Sequence, residues 1–335
     1  MKKRNFLSLV LMSALLVTAC GNKRSSNEAE EVTNDSIPVA KVYFTKDITP
    51  DSLVKIYEAL GVEPNGKVAV KISTGESSES YNLSPDLIKD LVQKVNGTLV
   101  ESNTAYPGNR NTTDAHLKAA EERGYTAIAP VDIMDAEGDL KIPVNDTTWI
   151  KYDIVGSHLP NYDFMINLAH FKGHQMGGFG GVLKNSSIGV ASTAGKTYIH
   201  SAGRTEDWEH FWEYTDNQDG FIESMASAAQ GVHNYFKQPG KDIVYIDVMN
   251  NMSIDCDCNG HPTAPGLKDM GIMASTDPVA LDKAALDMVF NHESVEGDDA
   301  QPMIDRIKEL HGTHIIDHAE KIGLGTTKYE LINIE

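Results

Sequence analysis

The chain has 335 residues and a formal net charge of −19, enough length for one large or two ordinary domains. So acidic a surface repels phosphate backbones, and no basic run counters it, which argues against nucleic acid as a partner. Three cysteines do not make a disulfide framework.

In chain order, Lys2, Lys3 and Arg4 precede an apolar run over residues 6–17. That run is too short for a spanning helix, which needs about 20 residues. Val17-Thr18-Ala19-Cys20 closes it. The order reads as a lipoprotein signal over residues 1–20, cut before a lipidated Cys20; the competing reading is a short membrane anchor with an incidental cysteine. Cleavage would remove three basic residues and no acidic ones, taking the charge from −19 to about −22. Residues 21–38 are polar, cannot offset their ordering entropy, and read as a flexible tether. Gly21 and Asn22 offer no acidic retention signal, which points to the periplasmic face of the outer membrane.

The body alternates β-rich runs with amphipathic stretches. Strands are expected at 40–44, 67–72, 98–101, 127–131, 151–155, 164–168, 243–248 and 271–274. Several are continuously apolar, as in strands buried on both faces. Thr49-Pro50, Ser84-Pro85 and Asp277-Pro278 each set a capping oxygen before a proline that opens a helix. Thr112 or Thr113 caps a further helix running to Arg123, stopped by Gly124. The alternation predicts an α/β fold of two lobes, 39–160 and 161–335, with mostly parallel, Rossmann-like sheets and flanking helices. The stretch 203–220, rich in Trp, Glu, Asp and His, reads as a surface excursion.

The chemistry concentrates after the strand at 164–168. His170, Lys172 and His174 precede Gly177, Gly178, Gly180 and Gly181; then come Lys184, Asn185, Ser186, Ser187, Lys196 and His200. Ligands of open α/β sheets bind beyond the carboxyl ends of strands. Glycines let backbone approach a ligand and offer amides to an anion. A lysine there pairs with an anion or, desolvated, attacks; histidines bind metal or move protons. The plain alternative is a glycine-rich connection with solvated Lys and His. The segment is not a P-loop: Gly195-Lys196-Thr197 supplies its end, but Val190 stands where its first glycine belongs. Metal binding by His170, His174 and His200, with Cys256 and Cys258, is one reading of the histidines. The Cys256-Asp257-Cys258 run admits three: a soft-metal or cofactor contact, a strained disulfide, or inert thiols. Gly108-Asn109-Arg110 leads into the helix after Thr112, a place for an anion, with Arg110 able to fork onto a carboxylate and His116 one turn in. Lys71, Ser73 and Thr74 end another strand and face the same way or solvent.

HFKGHQMGGFGGVLKN, AGKTYIHS and CDCNGHPTAPGLKDMGIMASTDPVALDKAALDMV together resemble the family described as domain of unknown function 362, over about residues 40–325. Its members are often labelled iron–sulfur centre proteins. The ferredoxin insertion that many carry is missing here, and Cys256 and Cys258 cannot supply four thiolates, so no ferredoxin-type cluster is expected. A more distant resemblance links His174, the glycine run, Lys184 and His200 to nickel-pincer lactate racemases. It implies that Lys184 holds a cofactor covalently, that His200 binds the metal, and that His174 is an acid/base. Their second catalytic histidine is replaced by Asn109, which leaves the acid/base pair incomplete unless His116 or His170 substitutes. The expected protein is therefore an envelope lipoprotein acting on a small anionic molecule with a transition metal (nickel, zinc or iron). Lys184, Gly177, Gly178, Gly180, Gly181 and Asn185 would form the binding loop; His174, Lys184, Arg110 and His116 would be catalytic. A non-catalytic metal- or ligand-binding lipoprotein is the alternative.

Overall fold

The computed structural model describes residues 39–335. Cys20, the signal segment 1–20 and the tether 21–38 lie outside the described residues. The described residues, 39–335, lie in one compact unit.

The first third alternates strand and helix as its sequence predicts. β1 (Ala40–Thr45), α1 (Pro50–Ala59), β2 (Val68–Lys71), α2 (Pro85–Lys94), β3 (Thr98–Glu101) and α3 (Thr113–Glu122) follow in turn. Thr49, Ser84 and Thr112 cap the three helices, each accepting an amide of the first turn. Gly124, at φ 84°, ends the third in the left-handed conformation that L side chains avoid. The strand expected at 127–131 starts later. Residues Tyr125–Ala127 are a 3₁₀ turn, and β4 is Val131–Ile133. β5 (Asp139–Ile142) and β6 (Asp153–Gly156) make a small antiparallel pair.

The buried strand β7 (Phe164–His170) runs into a tight hairpin of β8 (Lys172–His174) and β9 (Gly178–Gly180). Then come α4 (Val182–Ser186), α5 (Thr193–His200), the 19-residue α6 (Gln218–Phe236), β10 (Asp242–Met249) and β11 (Gly271–Ser275). α7 (Pro278–Phe290), α8 (Gln301–Glu309), α9 (His314–Lys321) and β12 (Tyr329–Asn333) complete the chain. No helix among the described residues is long and apolar enough to cross a membrane.

Eight strands form one sheet in the order β12-β1-β11-β10-β7-β2-β3-β4. All its pairings are parallel except those of β11, which is antiparallel to both β1 and β10. The α/β class and mostly parallel sheet match the sequence reading. The segments 39–160 and 161–335, expected as two lobes, instead contribute strands to this single sheet, because β7 pairs with β2 on one side and β10 on the other. Alternation along β7 sends Phe164, Ile166 and Leu168 to the α1–α2 face and Met165 and Ala169 to the α4–α7 face. Both faces are covered, which is why β7 reads as a continuous apolar run.

Candidate functional site

A cavity of about 340 Å³ opens beyond the carboxyl ends of β2, β3 and β7. β7 has β2 as one neighbour and the later β10 as the other. Such a switch in strand order leaves a crevice for ligands.

One wall is a charge network. Arg110 donates from Nε to Glu76 Oε2 (3.1 Å), from Nη1 to Glu101 Oε1 (3.3 Å) and from Nη2 to the Tyr106 hydroxyl (3.2 Å). Its fork is thus directed at protein carboxylates, not left open for a ligand as expected. His116 is fully buried behind it and does not line the cavity; its Nε2 donates to Glu101 Oε2 at 2.8 Å. Burial alone would raise the Glu101 carboxyl, but the His116 and Arg110 charges outweigh it and hold the group well below its usual range. His116 therefore orients Glu101 from outside the cavity.

The β8–β9 hairpin carries the next layer. Asp257 Oδ1 accepts His170 Nδ1 at 2.8 Å, and its Oδ2 makes an ion pair with Lys172 Nζ, 2.8 Å away. His170 Nε2 donates to the Asn250 carbonyl at 2.6 Å. With both ring nitrogens held by protein, His170 offers no atom to a metal. His174 differs. Its Nδ1 accepts the amides of Gly177 (2.8 Å) and Met176 (3.2 Å). The proton of the neutral ring then sits on Nε2. Burial, and next the Lys184 charge, lower the His174 pKa and keep it neutral. Gly177 and Gly178 do not line the cavity; Gly177 serves His174. Gly180 does line it, and a Cβ there would crowd Lys184 Cδ at 3.3 Å.

Opposite the hairpin lie Cys256 and Cys258, both free thiols. The Cys258 amide donates to Cys256 Sγ at 3.3 Å, and Lys184 Nζ is 3.9 Å from that sulfur. The hydrogen bond from the Cys258 thiol, then the Lys184 charge and the hydrogen bond from His174, drive Cys256 well below the ordinary thiol pKa despite burial. The hydrogen bond it shares with Cys256, then burial, push the Cys258 thiol well above its usual range. His174, Cys256 and Cys258 have their donor atoms within 4.8 Å of one another, and neither His170 nor His200 belongs to that group.

α4 carries Lys184 and is locked at its start. Asp282 accepts the amides of Val182 (2.8 Å) and Leu183 (3.0 Å). Burial and the Asp282 charge push the neighbouring Asp247 carboxyl well above its usual range, so it stays protonated. A Cβ on Gly181 would fall 2.3 Å from Asp282 Oδ1, so only glycine allows this approach. Asn185 bridges Asn167 Oδ1 (2.7 Å) and Lys71: its Nδ2 donates to the Lys71 carbonyl (3.2 Å) and its Oδ1 accepts Lys71 Nζ (3.1 Å). Burial pulls the Lys71 pKa down to about 7 and that of Lys196 to about 8.

His200 closes α5. Its Nδ1 donates to the Lys196 carbonyl at 2.7 Å, and its ring stacks on Phe221 at 4.6 Å. Burial takes its pKa down to about 3. The ring is neutral with Nε2 unprotonated, the tautomer a metal ligand needs. The stretch 203–220 is not merely a surface excursion. Its 3₁₀ segment Trp208–Tyr214 sets Trp208, Phe211 and Trp212 on the cavity wall. Glu101, Tyr106 and these aromatics were not singled out from sequence. Glu101 had a usable signal, a carboxylate closing a buried strand, whereas the aromatics lie in a polar stretch without periodicity.

The structure thus brings His174, Lys184, His200, Gly180 and Gly181 to one cavity, with Arg110, Asn185, Cys256 and Cys258 on the same lining. The family described as Domain of unknown function (DUF362) matches residues 68–287, well over half of the chain. The chain belongs to the DUF362 family. No curated protein sequence matches it. Among solved structures, the lactate racemase apoprotein of Thermoanaerobacterium thermosaccharolyticum is 14% identical, with a TM-score of 0.42 over 75% of this chain and 57% of that one. A Thermotoga maritima protein is 10% identical, with a TM-score of 0.42 over 81% of this chain and 58% of its own. This DUF362 chain spans less than two thirds of the length of either.

Proposed function

We propose that this DUF362 protein binds a small, carboxylate-bearing anion in the cavity and acts on it by proton transfer, with a metal or cofactor held at the Lys184–His200 end. Unmatched charge carries the reading. Arg110 is balanced by Glu76 and Glu101, and Lys172 by Asp257. Lys71, Lys184 and Lys196 also line the cavity; among the described residues none pairs with a carboxylate, and Lys184 alone faces an acidic thiol, Cys256 Sγ at 3.9 Å. Two desolvated amines, Lys71 and Lys196, on one cavity favour an anion, since its charge offsets the cost of keeping them protonated. Lys71 and Lys196 take over the grip first expected of Arg110.

The nickel-pincer group implied by the sequence resemblance meets suitable residues. His200 Nε2 is unprotonated and Lys184 Nζ has no carboxylate partner among the described residues, so these two would hold it, beside the Cys256 sulfur. Bound there, it would supply a Lewis-acidic metal centre. His174, with its proton on Nε2 and its Nδ1 fixed by backbone amides, is the acid/base. Asn109 lies off the cavity lining, its side chain donating to the Glu76 carbonyl at 3.0 Å. It offers no opposing acid/base, so racemisation is not proposed. The same reading has the domain in the cell envelope, held by lipid on Cys20, which the mass of the N-terminal peptide from a membrane fraction tests.

Calorimetric titration with small carboxylates and with inorganic phosphate tests the anion site. One anion per chain is expected, weakened about tenfold or more in Lys196→Met, since a charge-assisted hydrogen bond contributes about 1.5–3 kcal/mol. No binding at millimolar ligand, or unchanged binding in Lys71→Met and Lys196→Met, would sink the reading. Intact mass and metal analysis of protein from its native host addresses the chemistry. An adduct on Lys184 supports the cofactor-dependent enzyme; tight anion binding with neither adduct nor turnover supports a non-catalytic binder.

A further inference from the structure

The geometry points to a second site, outside the cavity: we propose that Glu223, His314 and His318 bind a divalent transition metal, of the class of zinc, on the face where α6 meets α9. None of the three lines the cavity, and the inference stands independently of the anion reading.

His314 and His318 lie four residues apart in one helix, which sets both imidazoles on one face. α6 brings Glu223 against them. Glu223 Oε1 is 2.9 Å from His314 Nε2 and 3.4 Å from His318 Nδ1. The three donor atoms all lie within 4.8 Å of one another. Bonds of about 2.0–2.1 Å in tetrahedral geometry put ligand atoms roughly 3.4 Å apart. The observed spacing needs only a small shift of His314, whose side chain is 35% exposed.

The buried, unpartnered nitrogen is the independent observation. His318 Nε2 donates to Asp146 Oδ2 at 2.8 Å. His318 Nδ1 is buried and has no hydrogen-bond partner among the described residues. It lies 3.4 Å from Glu223 Oε1, in a site where the His318 side chain is 3% exposed. A metal ion between them would be ligated by both atoms. Glu223 is fixed for the task, because its other oxygen accepts the Trp149 indole N–H at 2.7 Å. Asp146 is itself held by the Thr148 amide (3.0 Å) and hydroxyl (2.6 Å). A carboxylate orienting a ligating histidine from behind is the usual support of such sites. Two imidazoles and one carboxylate, with the His314 side open, match a three-ligand site that keeps a position for water or an exogenous ligand.

Titration of the full chain with zinc chloride tests this. The Cys256–Cys258 group is a competing soft site, so the titration uses the Cys256→Ser, Cys258→Ser chain, with iodoacetamide-blocked wild type as a second preparation. One zinc per chain is expected in both. His314→Ala, chosen because a half-exposed side chain is removed without opening the core, should weaken binding at least tenfold. Asp146→Asn should weaken it about 10–100-fold. Cobalt(II) in the serine variant should give a visible spectrum without a thiolate charge-transfer band. No zinc uptake in either preparation, or equal affinity in His314→Ala, overturns the proposal.

Discussion

Cys256 and Cys258 are two residues apart, yet they hold their protons oppositely. Cys256 gathers the Cys258 amide and thiol, the Lys184 ammonium and the His174 ring around one sulfur. An anion so solvated persists at a pH where a free thiol, with a pKa of about 8.5, is protonated. The ultraviolet absorbance of the thiolate should therefore report one cavity thiolate that ionises below the range of a free thiol. Lys184→Met should move that titration upward by roughly one unit, the effect of losing a nearby opposite charge. Both cysteines titrating near 8.5 would refute it. At this scale the sequence names residues without their partners. His170 and His174 look alike in the chain, yet one has both nitrogens spent on Asp257 and Asn250 while the other turns its Nε2–H to a sulfur. Arg110 reads as a free fork until Glu76, on the loop after β2, and Glu101, at the end of β3, are seen to fill it.

α4 has only five residues, too short to be stable alone. What holds it is the Asp282 carboxylate on its first amides, with protonated Asp247 behind. Gly181→Ala would push a methyl into Asp282 Oδ1. It should cost about 1–3 kcal/mol, the usual range for overpacking, measured by urea unfolding. It should also weaken anion binding, because Lys184 moves with the helix. An Ala variant as stable and as tight-binding as wild type would show that the clamp does not position Lys184. Cap residues Thr49, Ser84 and Asp277 announce their helices because the signal is local. α4, β8 and β9 announce nothing, since no periodicity fits into three to five residues. The aromatic segment near residue 210 was illegible for a related reason. Its Trp208 and Phe211 stack, and Trp212 meets both edge-on, with ring centroids 4.7–5.9 Å apart, amid acidic neighbours that read as surface. Filling the cavity with a carboxylate should change tryptophan fluorescence. The change should vanish in Trp208→Phe, Trp212→Phe, leaving Trp149, which does not line the cavity, as the control.

Across the whole molecule, the parallel strands were readable because burial on both faces leaves continuous apolar runs, as in Phe164–His170. Their merger into one sheet was not, because strand order depends on pairings such as β7 with β10, whose partners lie 78 residues apart at Phe164 and Asp242. That merger gathers the lysines, and its cost is visible in pH dependence. Lys71 and Lys196 have native pKa values near 7 and 8, lowered by burial, against about 10.4 when unfolded. Between pH 8 and pH 10 the unfolded chain keeps both protons while the native chain has released them. Unfolding then takes up protons, so these two groups make stability rise with pH, by roughly 1.4 kcal/mol per unit for each lysine. Other groups titrate in the same window, so the clean quantity is a difference in slope. Urea unfolding at pH 8, 9 and 10 should show a steeper rise for wild type than for Lys71→Met, Lys196→Met. A saturating carboxylate, which favours the charged amines, should flatten the wild-type curve toward the variant, and its affinity should fall as pH climbs past 8. Equal slopes would mean that both amines stay protonated in the empty cavity, and the unmatched-charge argument for an anion would lose its support.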